Sequence, residues 1–303
     1  MRWFLPLLLA VAAVGPREAA ARRPARARAF WAGLDPPSDR APARGVQALR
    51  PPLRGRVRIA GGSFVMGSTP IDATLAMAMC RREIHHNRCE ELALLFQVER
   101  PEHEVTLSPF EIDRSEVTVA AYARCVAVGA CAPPGFTPGD PRFDRPDLPV
   151  TYVRWEDASA FCAWDGSRLP TEAEWELTAR GPEGRTFPWG DTYNPHLCNH
   201  GSFADEDSDS TDGFAGLAPV GSFPDGATPL GVLDMAGNAA EWVADLFDIP
   251  DENGLGYPAA SVVNPKGPTT GSGHVVRGGS YLAGAAWVRA AARSRSGRPG
   301  EPP

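Results

Sequence analysis

The spacing of apolar positions changes several times along the chain, and each change marks an element. In VRIAGGSFVMGS (57–68) apolar residues alternate on either side of Gly61-Gly62, which predicts two strand pieces joined by a turn. HEVTLSPFEIDRSEVT (103–118) alternates again, with Val105, Leu107, Phe110 and Ile112 as inward positions. The pattern lengthens to a helical period in VAAYARCVAVG (119–129), with Thr118 as its N-cap. WEDASAFCAW (155–164) predicts a second helix. EAEWELTAR (172–180) predicts a third, opened by a Thr171/Glu174 capping box and closed by Gly181. From 182 to 275 no period persists, and Gly, Asp and Trp189 punctuate long loops. Loops of that length need more than core burial to fix them, and disulfides or bound ions are the usual means.

Composition sharpens this picture. Gly and Pro number 31 each in 303 residues, so turns should outweigh long helices. The net charge of -7 hides a division. Residues 1–58 hold 12 Arg against three acids, or +9, which leaves -16 for the remainder. An acidic body excludes nucleic acid as a partner. MRW, then FLPLLLAVAAVG, then an Ala-x-Ala before Arg22 read as a secretory signal peptide over 1–21. The apolar run falls short of the ~20 residues that span a bilayer, so no transmembrane segment remains once the signal is removed. Residues 22–56, rich in Arg, Pro and Ala, read as a linker, and a compact domain is expected over 57–294. The tail 295–303 reads as disordered. The location this implies is periplasmic or extracellular.

Six cysteines in an exported chain favour disulfides over thiols. Nearest-neighbour pairing gives Cys80–Cys89, Cys125–Cys131 and Cys162–Cys198, one of 15 possible connectivities. CRREIHHNRC (80–89) also offers two His beside two Cys, a zinc alternative that the oxidising compartment disfavours. DEDSDSTDG (205–213) fails as an EF-hand, lacking Gly at the sixth loop position and Glu at the twelfth. The chain has no phosphate loop, no GxGxxG after a strand, no HExxH and no nucleophile elbow, which argues against phosphoryl transfer and serine hydrolysis.

Several phrases carry a family resemblance: GGSFVMGS, RPEHEVTLSPFEIDRSEVT, LPVTYVRWEDASAFCAWDGSRLPTEAEWELTARG, FPWGD, GVLDMAGNAAEWVAD and VVRGGSYL. They run in this order from about 57 to 294, and RLPTEAEWE and GNAAEW are the most specific. The chain resembles the formylglycine-generating enzyme, or sulfatase-modifying factor, family. That resemblance implies one α+β domain of the C-type-lectin-like kind, low in regular structure. It also implies two structural calcium ions. The first would lie on Asn199, His200, Asp212 and Phe214. The second would lie on Asp234, Gly237, Ala239 and Glu241. Both sets supply hard oxygens, as calcium requires.

The catalytic members carry two cysteines after RGGSYL that bind copper(I), and one of them exchanges disulfides with the substrate. Here the first such position is Ala283, and no cysteine follows Cys198, so copper is not expected. A family disulfide has also lost both halves, at Ala179 and Ala290. The closing GFR strand is replaced by SRSGRPGEPP, leaving Cys162 without its usual partner. The resemblance places Arg277, Ser280 and Arg293 along the substrate groove, although arginines there often clamp loops instead. Trp287 is read as core. The reading that follows is a calcium-stabilised, non-catalytic binding or accessory module with a protein or peptide partner. The alternative is an oxidoreductase of the formylglycine-generating or non-haem iron type, since family relatives accompany pyoverdine maturation and ergothioneine biosynthesis. Iron would want two His and a carboxylate. Of the six histidines, His85, His86, His103, His196, His200 and His274, only the first two are neighbours in sequence.

Overall fold

The structure, a computed structural model, describes residues 55–83, 88–202, 210–247 and 256–295. The signal peptide, almost all of the linker, His85, His86 and the tail beyond 295 lie outside the described residues. The chain opens with strands β1 (Arg56–Ile59) and β2 (Gly62–Met66). Helices α1 (Pro70–Glu83), α2 (Arg88–Glu91) and α3 (Ala93–Gln97) follow. After them come strands β3 (His103–Leu107) and β4 (Phe110–Asp113). Helices α4 (Val119–Ala127), α5 (Trp155–Trp164) and α6 (Glu172–Arg180) precede a long stretch of turns. Strands β5 (Glu241–Leu246), β6 (Val262–Val263), β7 (His274–Arg277) and β8 (Arg293–Arg295) complete the described elements.

The Gly61-Gly62 turn does not fold β1 back on β2. Gly61 sits at φ 74°, and a Cβ there would lie 2.4 Å from the Leu107 carbonyl, so only glycine permits this close crossing. The turn sends the two strands into different sheets. β1 pairs antiparallel with β4, while β2 pairs antiparallel with β3, whose other edge takes β6 in parallel. A third sheet runs β5-β7-β8, all antiparallel.

Helix α6 lies at the centre. Its capping box forms as the sequence implies: Thr171 accepts from the Glu174 N–H, and Glu174 reaches back to the Thr171 N–H. All nine of its residues are buried, and it packs against β2, β3, β5 and β7. Trp175, Leu177 and Ala179 enter the main core beside Val105, Met235, Val243 and Val275. Ala179 and Ala290 both lie in this cluster, fully enclosed. Among the described residues no helix is long and apolar enough to cross a membrane.

Cys80–Cys89 and Cys125–Cys131 are bonded as expected from spacing. The Cys162–Cys198 expectation is corrected: both sulfurs remain thiols. Cys162 rides on α5 within the cluster of Tyr122, Phe161 and Trp242. Cys198 is buried elsewhere, among Phe187, Ala236, Ala283 and Val288. Burial, with the charges of Asp212 and Glu83 adding, pushes the Cys198 thiol up to about 12, so it is no nucleophile at neutral pH.

Asp245 on β5 accepts the Glu172 N–H at the start of α6, at 2.8 Å. Burial and then the nearby Glu172 charge push its carboxyl up to about 7, against that hydrogen bond. The folded protein therefore holds a proton that the unfolded chain has lost, and stability falls as pH rises from about 4 through about 7. Asp245→Asn keeps an acceptor for the Glu172 N–H and removes the titration. Its unfolding free energy in urea is expected to match the parent's near pH 4 and exceed it at pH 8 by on the order of 4 kcal/mol. Equal pH slopes for the two proteins would contradict this.

Candidate functional site

The segment after β7 is pinned from below by two buried arginines. Arg277 donates to the carbonyls of Ala291 at 2.9 Å, Ala292 at 2.8 Å and Ala290 at 3.1 Å, and it pairs with Glu176. Its guanidinium also lies over the Trp175 ring, 5.1 Å from the centroid. Burial alone would push Glu176 up, but Arg277 and Arg180 outweigh it and hold the carboxyl below its usual range. Glu176 further accepts from the Gly67 N–H at 2.8 Å and from Arg180 at 3.0 Å, so α6 is tied to β2 and β7 together.

Arg293 forms a two-pronged pair with Glu172 at 2.8 and 2.9 Å, and reaches the carbonyls of Val98 and Gly256. Tyr257 stacks under it at 4.3 Å. The expectation that Arg277 and Arg293 line a groove is thus corrected. Each is clamped inside by carboxylates and carbonyls that leave it no free face. The i, i+4 run Glu172, Glu176, Arg180 on one face of α6 is the signal in the sequence that could have located this network.

Ala283 is 3% exposed, packed in the cluster of Phe187, Cys198, Ala236 and Val288. The α1–α3 unit lies over the residues beyond it. Glu83 accepts the Ala285 N–H at 2.8 Å, and a Cβ on Gly284 would collide with the same carboxylate at 1.9 Å. Arg289 is held two-pronged by Glu99, at 2.6 and 2.9 Å. Trp287 meets Phe96 with ring centroids 5.4 Å apart, so it packs as core. Nothing in the sequence pattern foretold that this helical unit would cover the segment.

Of the three expected groove residues, Ser280 lines an open cavity. With Tyr281 and Leu282 it lines a groove of about 630 Å³. Thr151, Tyr152, Val153, Cys162, Leu169 and the β4 strand line the same groove. Tyr152 is held at φ 56°, an unfavourable conformation for a bulky residue. The Thr151 hydroxyl beside it is shielded from solvent without a hydrogen-bond partner.

The two sets of oxygens expected for calcium lie on adjoining turns. The Asn199 and Gly237 backbones form a bridge, and Asn238 N–H donates to the Asn199 carbonyl at 2.8 Å. Gly237, at φ 81°, permits this approach, since a Cβ there would lie 1.9 Å from the Asn199 oxygen. The Asn199 amide donates to Gly216 O and Asn238 Oδ1, each at 2.9 Å, which aims its own Oδ1 into the interior with no donor facing it. Asp212 caps the His200 and Phe214 N–H groups, each at 2.8 Å.

In the second set, Asp234 accepts from the Gly221 N–H at 2.6 Å and Glu241 from the Trp175 indole at 3.0 Å. Glu116, which sequence reasoning missed, joins them. It accepts from Asn238 Nδ2 at 3.0 Å, while its Oε2 is shielded and receives no hydrogen bond. Burial first, then the charges of Asp234 and Glu241, push Glu116 well above the usual range. Burial likewise raises Asp234 and pushes Glu241 up to about 7, with Asp234 adding to the latter. Three crowded acids and two oxygens without donors make a set of hard oxygen atoms, the donor type that calcium takes. Among the described residues no three His, Cys, Asp or Glu side chains converge by themselves, so carbonyls would have to complete any such coordination. The four described histidines are dispersed: His103 stacks near Tyr257, His196 lies in the 195–197 turn, His200 in the first oxygen set, and His274 against Trp155.

Fold and site together define a mixed α+β domain whose ordered loops, more than its short sheets, carry the chemistry. The sulfatase-modifying factor enzyme 1-like domain model matches residues 43–301. The chain belongs to that family. It is 35% identical to a formylglycine-generating enzyme of Streptomyces coelicolor, over 81% of this chain and 85% of the relative. It is 42% identical to the bovine formylglycine-generating enzyme over 50% of this chain, a match spanning 41% of the bovine protein. The structure of PvdO from Pseudomonas aeruginosa superposes with a TM-score of 0.57 at 26% identity, over 82% of this chain and 89% of that one. Relatives with other names also match: a bovine inactive C-alpha-formylglycine-generating enzyme 2, at 41% identity over 38% of this chain and 39% of the relative, and a Mycolicibacterium thermoresistibile hercynine oxygenase, at 32% over 65% and 49%.

Proposed function

We propose that this protein is an exported, calcium-stabilised accessory module, periplasmic or extracellular, that binds a protein or peptide segment in the groove lined by Ser280 and performs no oxidation of its own. The observation that carries this reading is position 283. An alanine stands where the resemblance calls for a copper cysteine, sealed among apolar side chains with no thiol after Cys198. Copper(I) needs soft sulfur ligands, and exchange with a substrate cysteine needs a thiolate. The match over 38% of this chain to a relative described as inactive supports this reading. In this reading calcium would be held by Asn199, His200, Asp212 and Phe214, and by Asp234, Gly237, Ala239 and Glu241. Its role there is to neutralise charge and fix loops.

The second reading is an oxidase using other ligands, favoured by the match to a hercynine oxygenase over 65% of the chain. One experiment separates the two. Protein purified without chelator is expected to carry about two calcium ions per chain and no stoichiometric copper or iron. It is expected to consume no oxygen with a cysteine-containing peptide and a thiol reductant. Stoichiometric copper or iron, with oxygen consumption above the protein-free rate, would overturn the non-catalytic reading.

A further inference from the structure

One wall of the groove is the edge of a two-stranded sheet. In the β1–β4 pair, the Arg114 N–H donates to the Gly55 carbonyl at 3.0 Å, which makes 55/114 a hydrogen-bonded pair. The antiparallel register Arg56↔Asp113, Val57↔Ile112, Arg58↔Glu111 then alternates from that point. Ile112 exchanges its backbone bonds with β1, while Glu111 and Asp113 turn their N–H and C=O groups to the opposite edge. No strand pairs with that edge among the described residues, and Pro109 through Asp113 line the groove in succession. An open edge facing an apolar cavity is a template for an added strand.

We infer that the groove captures its partner by strand addition. The occupant is an extended segment of another polypeptide, apolar at alternate positions and basic between them, laid along the outer edge of β4. This deepens, and rests on, the reading of the groove as a protein- or peptide-binding site. The alternation follows from β4 itself. Phe110 and Ile112 pack toward the main core, so one face of an added strand continues an apolar surface. Glu111 and Asp113 lie on the other face. Asp113 is paired with Arg56 at 3.1 Å, whereas Glu111 is exposed and has no ion pair among the described residues. Arg58 lies opposite Glu111 on β1 without forming an ion pair, and a lysine or arginine on the added strand gives Glu111 a cationic neighbour on its open side. Of the groove's other charged residues, Glu174 is already paired with Arg168 and Asp113 with Arg56, so the charge preference is set at Glu111.

The probes are blocked hexapeptides: alternating Val/Lys, alternating Val/Glu, and two Val/Lys versions N-methylated at every lysine or at every valine. N-methylation removes the backbone donors from one edge of the strand only. The readouts are amide hydrogen exchange in the full chain and alkylation of Cys162, which borders the groove while Cys198 is buried. At saturation the Val/Lys peptide is expected to slow exchange of the Glu111 and Asp113 amides at least ten-fold and to slow Cys162 alkylation. One N-methylated version is expected to bind at least ten-fold more weakly than the other, and the Val/Glu peptide more weakly than Val/Lys. Glu111→Lys is expected to reverse the Val/Lys over Val/Glu preference, and Glu111→Gln to abolish it without losing amide protection. Protection confined to Tyr281 and Leu282, or equal binding of the two N-methylated peptides, overturns strand addition and leaves the groove reading intact. No protection anywhere in the groove by any of the peptides overturns strand addition and the groove reading together.

Discussion

Arg277→Ala is expected to unfold the protein or leave it severely destabilised, with no dependence on any ligand. Arg277 is fully enclosed and feeds three backbone carbonyls and Glu176 at once. Removing it strands Glu176 beside Trp175 with only Arg180 to balance it, and leaves the turn at 290–292 without donors. Breaking a buried pair by deleting one partner costs about 3–5 kcal/mol, a large share of the ~5–15 kcal/mol that holds a domain together. The paired change Arg277→Met with Glu176→Gln removes both charges and leaves an acceptor for the Gly67 N–H. It is expected to cost at least ~1.5 kcal/mol less than the sum of the two single changes. Urea unfolding followed by tryptophan fluorescence reads this cycle directly, since Trp175 lies against the guanidinium. A groove-lining arginine would behave in the opposite way, changing partner binding while leaving the urea midpoint in place. An unchanged midpoint for Arg277→Ala would restore the groove role that the family resemblance implied.

The same residue shows where sequence reading succeeds and where it stops. Local rules are written in nearest neighbours, so the α6 capping box, the Thr118 cap and the short disulfides were legible. Alternation in 103–107 marked Val105 and Leu107 as buried, because a pleated strand puts every second side chain on one face. Sheet partners were not legible. Gly61 breaks the hairpin that its flanking strands suggest, and the clash that demands glycine comes from Leu107, 46 residues away in sequence. Nearest-neighbour pairing of Cys162 with Cys198 failed for the same reason, as the two sit in separate clusters set by distant contacts. The loss at Ala283 was visible, but what filled the space was not. The cover comes from α1–α3, whose weak amphipathic pattern gives no hint of its destination. Glu116 lies in the phrase SEVT, where its polar side chain reads as a strand-end residue. Only the return of the 234–241 turn brings Asp234 and Glu241 beside it.

Chelation is expected to lower the melting temperature by roughly 10–20 °C, about half of it from each of two ions, with calcium at millimolar concentration restoring it. The driving force is the unneutralised oxygen set. Glu116, Asp234 and Glu241 cannot all ionise in one enclosure without a cation, and the Asn199 Oδ1 and Glu116 Oε2 oxygens have no donor. An ion bound a hundred-fold above its Kd contributes about 2.7 kcal/mol, and each kcal/mol shifts a domain of this size by about 2–4 °C. The pH dependence gives the decisive sign. Without calcium, Glu241 holds its proton to about pH 7 in the folded state, against an ordinary carboxyl near 4.5 when unfolded. The chelated protein therefore loses stability as pH rises through that window, more so because Glu116 and Asp234 shift the same way. With calcium, protons compete with the ion for the same oxygens, so the gain from calcium shrinks as pH falls. Melting curves at pH 5 and pH 8, with calcium and with chelator, should show a large calcium effect at pH 8 and a small one at pH 5. Asn199→Ala and Glu241→Gln test the sets separately, and each is expected to remove about half of the calcium response. Glu241→Gln should also flatten the pH slope of the chelated protein, whereas Asn199→Ala should leave that slope unchanged. Identical melting temperatures in calcium and chelator at pH 8 would mean that protons alone neutralise the cluster, and the loops would then owe their order to the buried arginine network.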